Sequence, residues 1–298
     1  MQFTKMQALS NDYIYIQTIT QNIDYPDRWA RFLSDRHCGI GSDGLVLICQ
    51  SEVADFRMRI FNPDGSEAEM CGNAIRSTAK YAYSMGYTNK KELTIETLGG
   101  IKKLYLDVEN NKIKMITAKL DAPVFDAEKI PVILPDNMKK CIDYPVNVHD
   151  REFRITAISM GNPHCATFID DTKTIDLQKY GSVIENHAMF PKKANVHFAT
   201  VIDKKNLFMR AWERNCGETL ACGTGCCVSV TSGFITGRCS NDVTVNQIGG
   251  NIHIYLNEDL SDIYMSGNSE FVCSGDVTEE NLFNYERKNI YEAYRVIE

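Results

Sequence analysis

Apolar and polar residues alternate along several stretches of the chain, which is the pattern of strands with one buried face. Residues 57–61 and 112–116 are clear examples. Paired glycines at 99–100 and 249–250 predict hairpin turns between such strands. The pattern therefore predicts sheets rich in short strands and joined by tight turns.

Two other stretches predict helices, and each begins just after a cysteine. Residues 74–82 follow Cys71-Gly72-Asn73, and residues 225–232 follow Cys222-Gly223-Thr224. Each predicted helix lies among predicted strands. We therefore expect an α/β (α+β) fold in which a strand-rich mixed sheet surrounds one central helix.

The two halves of the sequence match when one is shifted by 151 residues. The coinciding positions include Cys-Gly pairs, glutamates and asparagines: Cys71-Gly72 with Cys222-Gly223, Glu67 with Glu218, and Asn11 with Asn162. Such agreement indicates an ancient duplication and two pseudo-symmetric domains. We expect an N-terminal domain of residues 1–118 plus 279–298 and a C-terminal domain of residues 119–278. Because ligands often bind between domains, we expect the active site in the cleft between them.

Composition excludes several classes of function. The chain has 298 residues, 44% hydrophobic and 24% charged, which are ordinary globular values. Its net charge is -7 and no basic block is present, so we expect no nucleic-acid partner. No apolar run is long enough to span a membrane, so we expect no membrane partner. No export signal is visible and there are eleven cysteines, which favours free thiols in the cytoplasm.

A cysteine at a helix start can take part in proton transfer. The unpaired N–H groups there favour a thiolate and can bind a carboxylate. If Cys71 and Cys222 face one ligand, one thiolate can remove a proton from the carbon beside the carboxylate. The opposite thiol can return a proton to the other face. This chemistry predicts an amino-acid racemase or epimerase.

Two long motifs resemble the active-site signatures of the diaminopimelate epimerase family. They are residues 61–73 and 213–225, and residues 159–165 and 184–196 resemble further stretches of the family. The resemblance covers essentially the whole chain. It implies two α/β domains, no pyridoxal phosphate and no metal. It also implies interconversion of LL- and meso-diaminopimelate in lysine and peptidoglycan precursor synthesis.

The resemblance implies a role for each matched residue. Cys71 and Cys222 are expected to be the acid/base pair, Glu213 the partner of the reacting α-amino group, and His164 a residue that tunes the cysteines. The residues expected to donate to the α-carboxylate are Gly72, Asn73, Gly223 and Thr224. The residues expected to hold the distal amino-acid end are Asn62, Asn162, Asn195 and Arg214. Asn11 is expected to line the cleft.

The sequence also departs from the family pattern. The departures lie at Gln7, Ala8, Ser10, Gly44, Ala74, Ser77 and Asn215, and Gly44 leaves no side chain where some members have glutamine. They leave the cysteine pair unchanged, so the predicted type of reaction stays the same, but they allow a substrate other than diaminopimelate. Racemases of this family that act on histidine or lanthionine are the alternatives.

Hypotheses that assign the chain to other classes of protein are less favoured. A non-catalytic amino-acid-binding protein would need neither thiol. The His-Cys pairs at 37–38 and 164–165 lack the ligand spacing of structural zinc sites. A redox enzyme would usually carry Cys-x-x-Cys rather than the vicinal pair at 226–227. We therefore expect a small amino-acid substrate as the partner, and dimerisation of the chain stays open.

Overall fold

The computed structural model of the chain describes residues 1–136 and 138–295. In chain order the elements are β1 (Gln2–Ala8), β2 (Asn11–Gln17), α1 (Pro26–Ser34), β3 (Leu45–Cys49), β4 (Phe56–Phe61), β5 (Glu67–Ala68), α2 (Gly72–Ser84), β6 (Glu92–Thr97), β7 (Gly100–Glu109), β8 (Lys112–Leu120), β9 (Tyr144–Val148), β10 (Arg151–Ser159), β11 (Pro163–Phe168), α3 (Leu177–Glu185), β12 (Asn195–Asp203), β13 (Asn206–Glu213), β14 (Gly217–Thr219), α4 (Gly223–Ile235), β15 (Asp242–Gln247), β16 (Gly250–Leu256), β17 (Ile263–Gly267), β18 (Glu270–Asp276) and α5 (Glu279–Arg295).

The predicted elements are present. The alternating stretches lie in β4 and β8, and the two glycine pairs form the turns from β6 to β7 and from β15 to β16. The two predicted helices are α2 and α4. The predicted α/β fold class is therefore confirmed.

The chain divides into two compact units. The first contains Met1–Ala118 and the residues from Asn268 onward, and the second contains Lys119–Gly267. The second break lies before the expected position at residue 278. The reason is that β18 pairs antiparallel with β1, which places Gln2 opposite Asp276. The strand after Asn268 thus belongs to the first unit rather than to the second.

The sheets of the two units have the same topology. In the first unit the strand order is β18-β1-β2-β3-β4-β6-β7. In the second it is β9-β10-β11-β12-β13-β15-β16, with β17 added beyond β16. In both, the pairings β2–β3 and β4–β6, or their counterparts β11–β12 and β13–β15, are parallel and the others antiparallel. This matched pattern confirms the internal duplication.

Each sheet curves around its central helix, and the helix sequences suit that position. Most residues of α2 from Asn73 to Ala82 are buried, and α4 is buried from Gly225 to Gly233. Small residues let the surrounding strands approach α4 closely. A Cβ atom added at Gly233, for example, would lie 3.2 Å from Cζ of Phe168 on β11. Each cysteine therefore directly precedes a helix that is packed tightly against its sheet.

A separate hydrophobic core stabilises each unit. In the first, Ile14 and Leu45 of the sheet pack with Trp29 and other residues of α1. The final helix α5 packs on the same region, where the rings of Phe32 and Tyr285 lie 5.3 Å apart. In the second unit, Phe153 and other sheet residues pack against α3. Among the described residues, no helix is long and apolar enough to cross a membrane.

Candidate active site

Cys71 and Cys222 have equivalent places in the two units, because each directly precedes a buried helix. Cys71 has φ -136° and ψ 124°, and Cys222 has φ -134° and ψ 107°. Each cysteine carbonyl accepts a helical hydrogen bond at 3.0 Å, from the N–H of Ile75 and of Cys226 respectively. Neither cysteine caps its helix through its side chain. Both helix starts therefore present N–H groups that suit an anion.

Two polar side chains contact the sulfur of Cys71, and a third binds one of them. The thiol donates to Asn11 Oδ1 at 3.6 Å, and the hydroxyl of Tyr13 donates to the sulfur at 3.9 Å. Asn73 Nδ2 donates to the same Asn11 oxygen at 3.3 Å. The first thiol thus lies between a hydroxyl donor and an amide acceptor.

Two charged residues fix the orientation of these amides. The carboxylate of Asp43 can only accept, so Asn11 must present Nδ2 to it, at 2.8 Å, and turn Oδ1 toward Cys71. The guanidinium of Arg76 can only donate, and it donates to Asn73 Oδ1 at 2.8 Å. Arg76 is fully buried and also donates to the carbonyl of Gly72 at 2.9 Å. The hydrogen bonds of this amide chain therefore all run in one direction, from Arg76 through Asn73 and Asn11 to Asp43.

Burial decides the proton affinity of Cys71. Burial raises the pKa of the thiol, and this outweighs the lowering by the N–H groups of Ala74 and Asn73 and by the Tyr13 hydroxyl. The net pKa lies above the ordinary value. We expected the helix start to lower the pKa of this thiol. That prediction is wrong for the net pKa, although the N–H groups of the helix start do contribute a lowering.

Cys222 is more deeply enclosed. It is 6% exposed, its N–H donates to Gln247 Oε1 at 2.8 Å, and its sulfur lies 3.7 Å from Thr224 Oγ1. Burial first, and then the carboxylate of Glu213, hold the pKa of Cys222 well above its usual range. The second thiol therefore holds its proton strongly.

Glu213 is the acidic side chain next to Cys222. Burial raises the pKa of this carboxyl, and the hydrogen bonds from Thr219 and Cys222 oppose the rise. Thr219 Oγ1 donates to Glu213 Oε1 at 2.6 Å. The carboxylate is thus held in place at the end of β13, beside the thiol.

His164 belongs to a buried pair of imidazoles. Its Nε2 lies 2.7 Å from Asn162 Oδ1 and its Nδ1 lies 2.9 Å from His197 Nε2. Burial, aided by the charge of Arg214, lowers the pKa of His164 to about 3, so the ring is neutral. With Asn162 presenting its oxygen, Nε2 carries the proton and Nδ1 accepts from His197. His164 therefore holds Asn162, which precedes β11.

The absence of a side chain at Gly225 makes room for His197. A Cβ atom at Gly225 would lie 2.3 Å from Cε1 of that ring. The imidazole pair is thus packed directly under the first turn of α4. Burial holds the pKa of His197 well below its usual range.

The remaining predicted residues lie on loops and strand ends of their units. Asn195 donates through Nδ2 to the carbonyl of Pro163 at 3.0 Å and accepts through Oδ1 from the Arg214 N–H at 3.0 Å. It therefore positions the backbone of Arg214. The Arg214 guanidinium donates to the carbonyl of Lys192 at 3.2 Å. In the first unit, Asn62 donates to Ser66 Oγ at 3.0 Å within a turn.

Four residues around the thiols were missed from the sequence: Tyr13, Asp43, Arg76 and Gln247. Tyr13 could have been found, because the 151-residue shift places it on His164. The others had no such signal, since their importance depends on burial and on contacts between distant segments. Among residues 1–136 and 138–295, no three or more His, Cys, Asp or Glu side chains are grouped so that they could hold a metal ion.

Comparison with solved structures identifies the class of fold. A PhzF-family phenazine biosynthesis protein from Bacillus anthracis matches with a TM-score of 0.69 at 19% identity, covering 93% of this chain and 99% of that one. A probable proline racemase from Agrobacterium radiobacter matches with a TM-score of 0.64 at 11% identity, covering 93% of each chain. The chain therefore shares the fold of these proteins.

Sequence comparison identifies the family. The family model described as diaminopimelate epimerase matches residues 3–123 and 156–272. The diaminopimelate epimerase of Methanococcus maripaludis is 47% identical, covering 93% of this chain and 99% of the relative. That of Acetivibrio thermocellus is 46% identical, covering 95% and 100%. The chain belongs to the diaminopimelate epimerase family and is an isomerase.

The buried imidazole pair predicts a loss of stability in mild acid. The unfolded chain protonates a histidine near pH 6.5, whereas buried His164 and His197 stay neutral, so stability falls as the pH falls below that value. Between pH 7 and pH 5 each such histidine should account for about 2 kcal/mol of lost unfolding free energy. His197→Gln should remove one of these two losses in denaturant unfolding curves.

His37→Gln, at an exposed histidine, is the matched control that separates burial of the ring from the exchange of histidine for glutamine as such. An equal loss of stability between pH 7 and pH 5 in His197→Gln and in the unchanged protein would contradict the neutral imidazole pair.

Proposed function

We propose that this protein converts LL-2,6-diaminopimelate to meso-diaminopimelate without a cofactor, with Cys71 and Cys222 as the proton-transferring pair. The observation that carries the proposal is the matched position of the two thiols, each in extended backbone before a buried helix. The names and 46–47% identities of the relatives support the substrate. The reaction serves lysine and peptidoglycan precursor synthesis, and the eleven free thiols favour the cytoplasm as its location.

The α-carboxylate of the substrate is the group that the helix starts would hold. Gly72 and Asn73 begin α2, and Gly223 and Thr224 begin α4. Backbone N–H groups at these positions can bind the carboxylate and stabilise the negative charge that grows on it when the α-proton leaves. The proposal therefore requires one substrate to reach both helix starts.

The proton transfer uses one thiolate and one thiol. The thiolate takes the α-proton on one face and becomes a thiol, and the electron pair left at carbon spreads onto the carboxylate. The opposite thiol then gives its proton to the other face and becomes the thiolate, so the substrate is inverted and no proton is lost. Because burial raises the pKa of both thiols, each thiolate is a stronger base for a weakly acidic C–H group.

The α-amino group and the distal end need other partners. Glu213, beside Cys222, can accept a hydrogen bond from a charged α-amino group. For the distal amino-acid end we assign Arg214 to the carboxylate, with Asn62 and Asn162 as amide partners and Asn195 holding the Arg214 backbone. His164 acts through Asn162, to which it is hydrogen-bonded.

Replacing either cysteine should abolish epimerisation while the fold stays intact. Without one thiol, a proton can be removed or returned on one face only, so the rate on LL-diaminopimelate should fall by at least about a hundredfold in Cys71→Ala and in Cys222→Ala. The measurement is chiral chromatography of the product formed by reduced protein without added cofactor. Circular dichroism checks the fold.

Cys38→Ala removes an exposed free thiol and serves as the matched control, with unchanged rate expected. L-Histidine and L-lanthionine should be assayed beside diaminopimelate. Near-normal inversion by either active-site variant would refute the cysteine pair, and turnover of another amino acid in place of diaminopimelate would refute the proposed substrate.

Arg214→Lys should weaken recognition of the distal carboxylate. Lysine keeps the charge but loses the paired hydrogen bonds of the guanidinium, so kcat/KM should fall by roughly tenfold to a hundredfold, mainly through KM. The loss should be similar for diaminopimelate and lanthionine, which share that end. Arg238→Lys, where the arginine is paired with Asp143, is the control and should keep the normal KM. An unchanged KM in Arg214→Lys would remove this residue from the site.

A further inference from the structure

A tyrosine hydroxyl lies against the sulfur of Cys71. Tyr13 is on β2, it is 7% exposed, and its hydroxyl donates to Sγ of Cys71 at 3.9 Å. Sulfur is large, so a contact at this distance is within hydrogen-bonding range. Tyr13 is therefore in direct contact with the sulfur atom that is proposed to react, although no role was predicted for this tyrosine from the sequence.

The Tyr13 ring occupies space that the chain leaves open at Gly44. A Cβ atom at Gly44 would lie 2.9 Å from Cε1 of Tyr13 and 2.3 Å from the carbonyl oxygen of Phe61. The backbone oxygen of Phe61 by itself excludes a side chain at position 44, and the Tyr13 ring packs against the backbone that stays uncovered there. The glycine that departs from the family pattern thus accompanies the tyrosine that reaches Cys71.

The two side-chain contacts of the sulfur have opposite character. Asn11 turns its oxygen toward Cys71, because its Nδ2 donates a hydrogen bond to Asp43. This oxygen can accept a hydrogen bond from Cys71 only while the thiol is protonated. The Tyr13 hydroxyl can donate to the sulfur in either state. Burial first, and then the neighbouring Cys71, hold the pKa of Tyr13 well above its usual range, so the hydroxyl keeps its proton.

We propose that Tyr13 is a positioning residue for Cys71, whose hydroxyl donates a hydrogen bond to the sulfur and stabilises its thiolate form. A donor to a charged sulfur is strengthened when the proton leaves, whereas the bond to Asn11 is lost. Tyr13 therefore offsets part of the cost of forming a negative charge in a buried place. This inference deepens the proposed function and rests on it for the reactive role of Cys71.

The second unit uses the equivalent position differently. His164 takes the place of Tyr13 after the 151-residue shift, but its ring nitrogens bind Asn162 and His197. Cys222 has a hydroxyl neighbour of its own, Thr224 Oγ1 at 3.7 Å, and it also lies beside the carboxylate of Glu213, which disfavours its thiolate. Loss of the Tyr13 hydroxyl should therefore alter the reactivity of Cys71 and leave these contacts of Cys222 in place.

The test measures the thiolate of Cys71 directly and needs no substrate. In full-length reduced protein carrying Cys222→Ala, the rate of Cys71 alkylation by iodoacetamide is followed from pH 6 to pH 10 by mass spectrometry of the Cys71 peptide. With Tyr13→Phe added, the half-maximal rate should move to higher pH, and the rate at a fixed pH below the midpoint should fall about fivefold. Phenylalanine keeps the ring packing.

Tyr15→Phe is the matched control. Tyr15 lies on the same strand and is buried, but its hydroxyl donates to the carbonyl of Ala74 at 3.4 Å rather than to a sulfur. It should lower thermal stability to a similar extent while the alkylation profile of Cys71 stays in place. An unmoved profile in Tyr13→Phe, or an equal shift in Tyr15→Phe, would overturn the proposal. A shift specific to Tyr13→Phe in a protein that does not turn over diaminopimelate would uphold the contact and refute the proposed function instead.

Discussion

The site depends on the interaction between a cysteine sulfur, half-buried at Cys71 and buried at Cys222, and the N–H groups at the start of a helix. Both thiols occupy this position, with nearly the same backbone angles in each unit. The helix start favours negative charge, while burial disfavours it by a larger amount. The balance gives thiols that are weak acids at rest and strong bases once deprotonated, which is what removal of a proton from carbon requires.

The duplication preserved this backbone arrangement and allowed the surroundings to diverge. Around Cys71, an amide chain runs between the anion of Asp43 and the buried cation of Arg76. Near the second helix start, the carboxylate of Glu213 raises the pKa of Cys222. The neutral imidazole pair of His164 and His197 packs against the first turn of α4. Similar helix starts thus carry differently tuned thiols, and under the proposed function these two thiols would act on opposite faces of the substrate.

Much of the fold followed from pattern alone. The 151-residue repeat predicted two copies of one unit, and the Cys-Gly pairs predicted where the central helices begin, because these features depend on local sequence. The place of β18 did not follow, since its pairing with β1 joins segments almost a chain length apart. Likewise, nothing local marks Arg76 as a buried cation or shows that burial outweighs the helix start in setting the thiol pKa.

The central claim is that two different groups act on the two faces of one carbon. Its most direct test is to incubate the protein with LL-diaminopimelate in deuterium oxide and to stop the reaction at low conversion. Mass spectrometry then locates deuterium in the separated isomers. The account predicts one deuterium at the inverted carbon of the meso product and none in the recovered LL substrate, because the group that removes the proton is not the group that returns one. Deuterium appearing in the recovered LL isomer as fast as in the product would show a single base on both faces and would contradict the account.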